Sequence, residues 1–230
     1  MTRLVHVCTV LMVVFCASCG RQNKPDSPKE KTRYETQDAS ASSWIYTKYE
    51  YTDSIGKSLI IQNSFPKGVT KYTNPDGEVY NYVVFFNRVS NETDNPLELK
   101  IEFPVNSYEV PPLPGKYFNV LVPPDTMTLD KESLFNYGLT DLKPFLDTCI
   151  HKPSSLKRTI NSKESSGFYV VILCLVEGAH GVMRTGLSLK GQNLFYRIKI
   201  DGSKSNTKSS DKEIQIGSIN LKNLMLKKST

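Results

Sequence analysis

Four groups of residues have the types and spacing to do chemistry. Cys16-Ala-Ser-Cys19 is a C-x-x-C, the spacing of a redox pair or of half a zinc site, but it also sets small residues before a cysteine, as a processing site does. Cys149 and Cys174 are the remaining thiols. Either they bridge, closing a loop worth about 3 kcal/mol in the chain-entropy picture, or Cys174 packs in its strand as a small hydrophobe. His151 and His180 are the histidines beyond the N-terminal segment, and Glu177-Gly-Ala-His180-Gly181 sets a carboxylate three residues before an imidazole. Glycines within and after that stretch read as a turn at a strand end, so no helical face holds the two groups together for acid–base work. Trp44, Tyr46, Tyr49 and Tyr51 open the first strand-like run, and an exposed aromatic platform there would stack sugar rings or a partner protein.

No H-E-x-x-H, G-x-S-x-G or Walker-type glycine loop occurs, and Gly186-Leu-Ser-Leu-Lys-Gly191 fails the spacing of a serine elbow. The expectation is therefore a non-enzyme with no cofactor and no metal site. Three of the five cysteines lie in the first twenty residues, which leaves too few thiols for a zinc ribbon in the folded region. The charge of +6 comes from 29 basic and 23 acidic residues scattered along the chain, so no basic stripe marks a nucleic-acid partner. With 230 residues, 39% hydrophobic and 10% aromatic, the chain can bury a core of its own.

The elements that position these groups begin with an N-terminal address. Arg3 precedes an apolar run from Leu4 to Phe15, too short to span a bilayer as a helix and of the length of a signal h-region. Ala17 and Ser18 follow, then Cys19 and Gly20, and then a stretch to residue 42 rich in Lys, Ser, Pro and Asp that reads as a flexible tether. Ala17, Ser18, Cys19 and Gly20 resemble the lipobox of bacterial lipoproteins, although Cys16 stands where that family has an aliphatic residue. The resemblance implies a signal peptide over residues 1–18, a cut before Cys19, acylation of its sulfur, and a protein held to a membrane of the bacterial cell envelope. Gly20, in place of an aspartate, implies the outer membrane. A cut there also removes the redox reading of Cys16 and Cys19, because the two sulfurs never share the mature chain.

From residue 43 to 228 the dominant period is two. Trp44–Tyr51, Lys57–Phe65, Glu78–Ser90, Leu97–Pro104 and Lys116–Pro123 are β-branched and aromatic runs separated by turn chemistry at Asn74–Gly77, Asn91–Pro96 and Val110–Gly115. Thr126–Gly138, with Leu129, Leu134 and Phe135, and Thr140–Cys149, with Thr140 as a cap, predict one or two short helices. Gly167–Glu177 is the most apolar run and predicts a central buried strand. Gly181–Ile200 predicts a hairpin or bent strand with bulges or turns at Gly186 and Gly191, and Ile214–Lys227 a last edge strand.

The expected fold is an all-β antiparallel sandwich in one domain. Phe85–Pro104, a strand, a polar turn and a second strand, is similar to immunoglobulin-like domains in lipoproteins of the Bacteroidota. Asp53-Ser54-Ile55 and Asp125-Thr126-Met127 resemble the acceptor motif for O-linked glycans in that group. Three functional expectations follow. The first is a membrane-anchored lipoprotein with a non-catalytic binding or envelope-support domain. The second is a glycan-binding accessory that uses Trp44, Tyr46, Tyr49 and Tyr51. The third is an envelope hydrolase built around His151 or His180.

Overall fold

Two long strands, β4 (Val79–Asn91) and β10 (Ser165–Leu175), pair antiparallel from Ser165↔Ser90 to Leu175↔Tyr80 and form the spine of the molecule. The computed structural model describes residues 44–52, 56–110, 113–175, 182–202, 209–220 and 227–228, and these belong to one compact unit. Around the spine lies a nine-stranded antiparallel sheet. On one side of β4 run β2 (Ser58–Ser64) and β3 (Lys67–Thr73), with β1 (Ile45–Thr52) outside β2. On the far side of β10 run β7 (Tyr117–Leu121), which carries β6 (Tyr108–Glu109), and β8 (Thr126–Met127). A short β14 (Lys227–Lys228) adds to β1. The second sheet has the order β11 (Val182–Lys190), β12 (Asn193–Asp201), β13 (Ser210–Asn220), β5 (Leu97–Phe103), β9 (Ser154–Ile160).

The two sheets face each other across one core. β5, Leu-Glu-Leu-Lys-Ile-Glu-Phe, alternates strictly between buried and exposed, as a strand with one wet face must. β10 has no such alternation because it is covered twice. Phe168, Val170, Ile172 and Cys174 face the second sheet, while Tyr169, Val171 and Leu173 face a separate cluster on the other side. That second cluster is closed by residues 128–150, which contribute Tyr137, Leu139, Leu142, Leu146 and Ile150. The central buried strand foreseen at Gly167–Glu177 is therefore present, and its unbroken apolar run reflects a third layer of chain above the sheet.

The edges of the second sheet are tied to the first by side chains. On β9, Ser154 Oγ accepts from the Val122 N–H at 2.7 Å, and Arg158 donates to the carbonyls of Gly167, Pro124 and Asp125. On β11, Tyr51 Oη accepts from the Leu189 N–H at 2.8 Å and Asn63 engages Leu187. Backbone groups of Leu187 and Leu189 on the β11 edge are thus met by side chains of the first sheet, without further ladder pairing.

Several expectations need correction. Residues 126–138 form no regular helix: β8 is followed by 3₁₀ turns at Leu129–Lys131 and Phe135–Gly138, the second broken by left-handed Asn136 (φ 48°) and Tyr137 (φ 57°). Tyr137 explains the break, since it is fully buried, donates to the Phe65 carbonyl at 2.7 Å, and accepts from Tyr169 at 2.8 Å. The helix α1 (Leu142–Cys149) does form, with Pro144 tolerated in its first turn, but Asp141 in the left-handed region precedes it and Thr140 does not cap it. Of Ile214–Lys227, the described residues to Asn220 are not an edge strand, because they belong to β13, which lies between β12 and β5. Gly191 makes the β11–β12 turn at φ 62°, whereas Gly186 is an ordinary paired position opposite Arg197. β3 and β9 were not foreseen, being polar strands at sheet edges.

Candidate binding face

The covering segment is pinned to the first sheet by two partly buried cations. Lys67, on β3, donates from Nζ to the carbonyls of Glu132 and Leu134, the latter at 3.0 Å. Its ammonium lies 3.7 Å from the Trp44 ring centroid and 4.4 Å from that of Tyr137, so two aromatic faces replace much of its water. Burial lowers its pKa, with the nearby Glu132 carboxylate opposing that shift. Arg88, on β4, pairs with Glu132 at 2.8 Å, and the two side chains are only 11% and 10% exposed. Such a desolvated pair holds one docking geometry and is costly to break from either side.

Beside these pins the backbone is unusual. Gly68 and Val69 oppose the single residue Val83, a β-bulge, and Gly68 sits at φ 62°. A Cβ at Gly68 would lie 1.9 Å from Asn136 Oδ1 and 3.5 Å from the Phe135 ring, so only glycine lets the covering segment come this close. With Asn136 and Tyr137 turned inward, the adjacent apolar side chains are turned outward. Phe135 is 71% exposed, Leu129 63% and Leu134 50%, and Val69 at the bulge is 82% exposed. A regular amphipathic helix would have buried Leu134 and Phe135. These four are the most exposed large hydrophobic side chains among the described residues, and they belong to one segment and to the strand beneath it. Exposed apolar side chains on one short segment make it a candidate contact surface.

The residues singled out from the sequence are dispersed by the fold. Trp44 packs edge-on to Tyr137 on the outer cluster. Tyr46 lies beside Phe65 with Arg184 across both rings. Tyr49 packs against the core between the sheets and Tyr51 is inside it, its hydroxyl pushed up to about 12 mainly by burial. A sugar platform would need these rings on one open face, and Trp44 and Tyr51 are on opposite faces of the first sheet. Cys149 and Cys174 are both free. Cys174 faces the inter-sheet core, whereas Cys149 ends a helix packed on the other side of that sheet, so the bridge is not formed. Burial raises the Cys174 thiol to about 11.

His151 is exposed in the turn after α1. His180 and Glu177 lie outside the described residues, as do residues 1–18, Cys19, and Asp53-Ser54-Ile55. Asp125 and Thr126 are exposed while Met127 is buried. The Asn91-Glu-Thr93 sequon is closed to modification, because Asn91 is fully buried and its amide bonds Asn95, Ile160, Asn161 and Thr93. Among the described residues no group of three or more His, Cys, Asp or Glu side chains is placed to hold a metal, and no helix is long and apolar enough to cross a membrane.

Lys67, Arg88, Glu132 and Phe135 were not foreseen as a group. The one signal for them in the sequence is Asn87-Arg88 in the middle of an apolar strand, a polar interruption that asks for a buried partner. No family model matches the chain, and no curated protein or solved structure matches it.

Proposed function

We propose that this chain is an exported lipoprotein of the bacterial cell envelope, anchored through an acylated Cys19, whose β-sandwich domain binds rather than catalyses. The observation that carries the reading is the order of segments at the N-terminus. An apolar run ends at Ala17-Ser18-Cys19, a polar stretch follows, and the described fold begins at Trp44. The exposed Leu129, Leu134 and Phe135 support a binding role, since a domain with a well-filled interior has no structural need to leave them in water. An immunoglobulin-like plan for the sandwich draws support from Phe85–Pro104, where β4 of one sheet passes by a polar turn into β5 of the other. The nine-stranded sheet and its covering segment depart from that plan.

Metabolic labelling with an acyl-chain probe tests the anchor. Labelling is expected in the wild type and absent in Cys19→Ala; a Cys19→Ala chain that still takes up the probe overturns the assignment.

A further inference from the structure

We infer that the apolar face formed by Leu129, Leu134 and Phe135 docks the domain onto an anionic phospholipid surface, an inference that rests on the lipid-anchor reading above. The fold's point of entry and this face share one residue. Lys67 stacks on Trp44, where the chain emerges from its N-terminal stretch, and donates to the Leu134 carbonyl at 3.0 Å. Only residues 20–43 separate Cys19 from Trp44, so an anchor at Cys19 tethers the domain at its Trp44 end. An acyl group on Cys19 therefore holds Trp44 and its neighbours near the bilayer, and the apolar face is among those neighbours.

At such an effective concentration a weak contact suffices. Phe135, Leu129 and Leu134 stand out of the surface by half or more of their area, the form in which side chains enter the boundary between headgroups and acyl chains. Lys71, exposed on β3, and Lys131, in the covering segment, lie on the elements that carry the face, and Asp130 beside Lys131 offsets one of these charges. The full chain's net charge of +6, of which only Arg3 lies before Cys19, adds attraction to anionic headgroups. A protein partner would use the same side chains; the position of the tether is what favours lipid.

The chain contains a single tryptophan, Trp44, packed beside Lys67 and Tyr137, so its fluorescence reports on the neighbourhood of this face. The experiment places the lipidated mature protein on vesicles of phosphatidylethanolamine and phosphatidylglycerol in equal parts, made with ordinary or brominated acyl chains. Sedimentation reads the anchor, and quenching of Trp44 by the brominated lipid reads the docking. The expected result is quenching in the wild type, loss of most of it in Phe135→Asp, and wild-type quenching in Val182→Asp, an exposed apolar position on the second sheet. Unchanged melting temperatures in both variants separate the effect from unfolding. A wild type that sediments without being quenched, or a Phe135→Asp variant quenched as fully as the wild type, overturns the docking, leaves the anchor standing and assigns the face to a protein partner. A wild type that fails to sediment overturns both.

Discussion

The side-chain amide of Asn63 pairs with the backbone of Leu187 as a neighbouring strand would, donating to its carbonyl at 3.2 Å and accepting from its N–H at 2.8 Å. The same amide donates to Thr47 and accepts from Asn87, so its hydrogen-bonding capacity is filled inside a core where it is fully buried. One residue of β2 thereby replaces the missing ladder partner of β11. In Asn63→Leu the N–H and carbonyl of Leu187 stay buried without partners, and the expected loss of stability is about 2–5 kcal/mol in urea unfolding. A loss below about 1 kcal/mol would show that the edge of β11 is satisfied another way.

Arg88 and Glu132 make a second, independent test, because the penalty of a buried ion pair lies in leaving one charge behind. Arg88→Met alone is expected to cost about 3–5 kcal/mol, and the double variant Arg88→Met/Glu132→Leu less than either single change. A double-mutant cycle with no coupling would mean that water reaches the pair despite its burial.

Gly68 and Gly191 share φ 62° but differ in surroundings: nothing lies within 4 Å of a Cβ at Gly191, whereas one at Gly68 meets Asn136 Oδ1. Gly191→Ala should cost about 1–2 kcal/mol for the left-handed backbone alone. Gly68→Ala should cost clearly more and should raise hydrogen exchange across residues 129–138. Equal costs for the two variants would mean that the covering segment is not seated on the bulge.

The thiols differ in reach. Cys149 is half-exposed at the end of α1, and Cys174 is buried with its pKa raised to about 11 by that burial. Alkylation of the native protein, read by peptide mass spectrometry, is expected to label Cys149 and to spare Cys174 until urea is added. Failure of both to react in the native and in the unfolded, unreduced protein would reveal a bridge.

Alkaline pH should unfold the domain through its tyrosines. Burial pushes the hydroxyls of Tyr51 and Tyr137 up to about 12, against an ordinary value near 10. A tyrosine is neutral while protonated, so a raised folded-state pKa contributes stability that is complete below about 10 and is lost as pH climbs toward 12. Thermal melts should therefore show a steep fall in midpoint over that window, with tyrosinate absorbance appearing together with unfolding. Tyrosinate absorbance at full strength near pH 10 in the folded protein would contradict the burial of these rings.

The all-β class and most strand positions were legible in the sequence because each is a local signal. Period-two alternation reports one buried face, as in β5. The exposed apolar face was not legible. Leu129, Leu134 and Phe135 sit among residues that would make an acceptable short helix, and nothing local says that Tyr137 instead turns inward. That outcome needs the carbonyl of Phe65, the hydroxyl of Tyr169, the gap at Gly68 and the charges of Lys67 and Arg88, which come from β3, β4, β10 and the bend before β3. Equally, Cys149 and Cys174 are a sensible bridge by count, and only their placement on opposite faces of one sheet separates them. What depends on the alternation and composition of neighbouring residues was determined by the sequence alone; which apolar side chains face water was decided by contacts between distant segments, where buried hydrogen bonds and paired charges outweigh local helix preference.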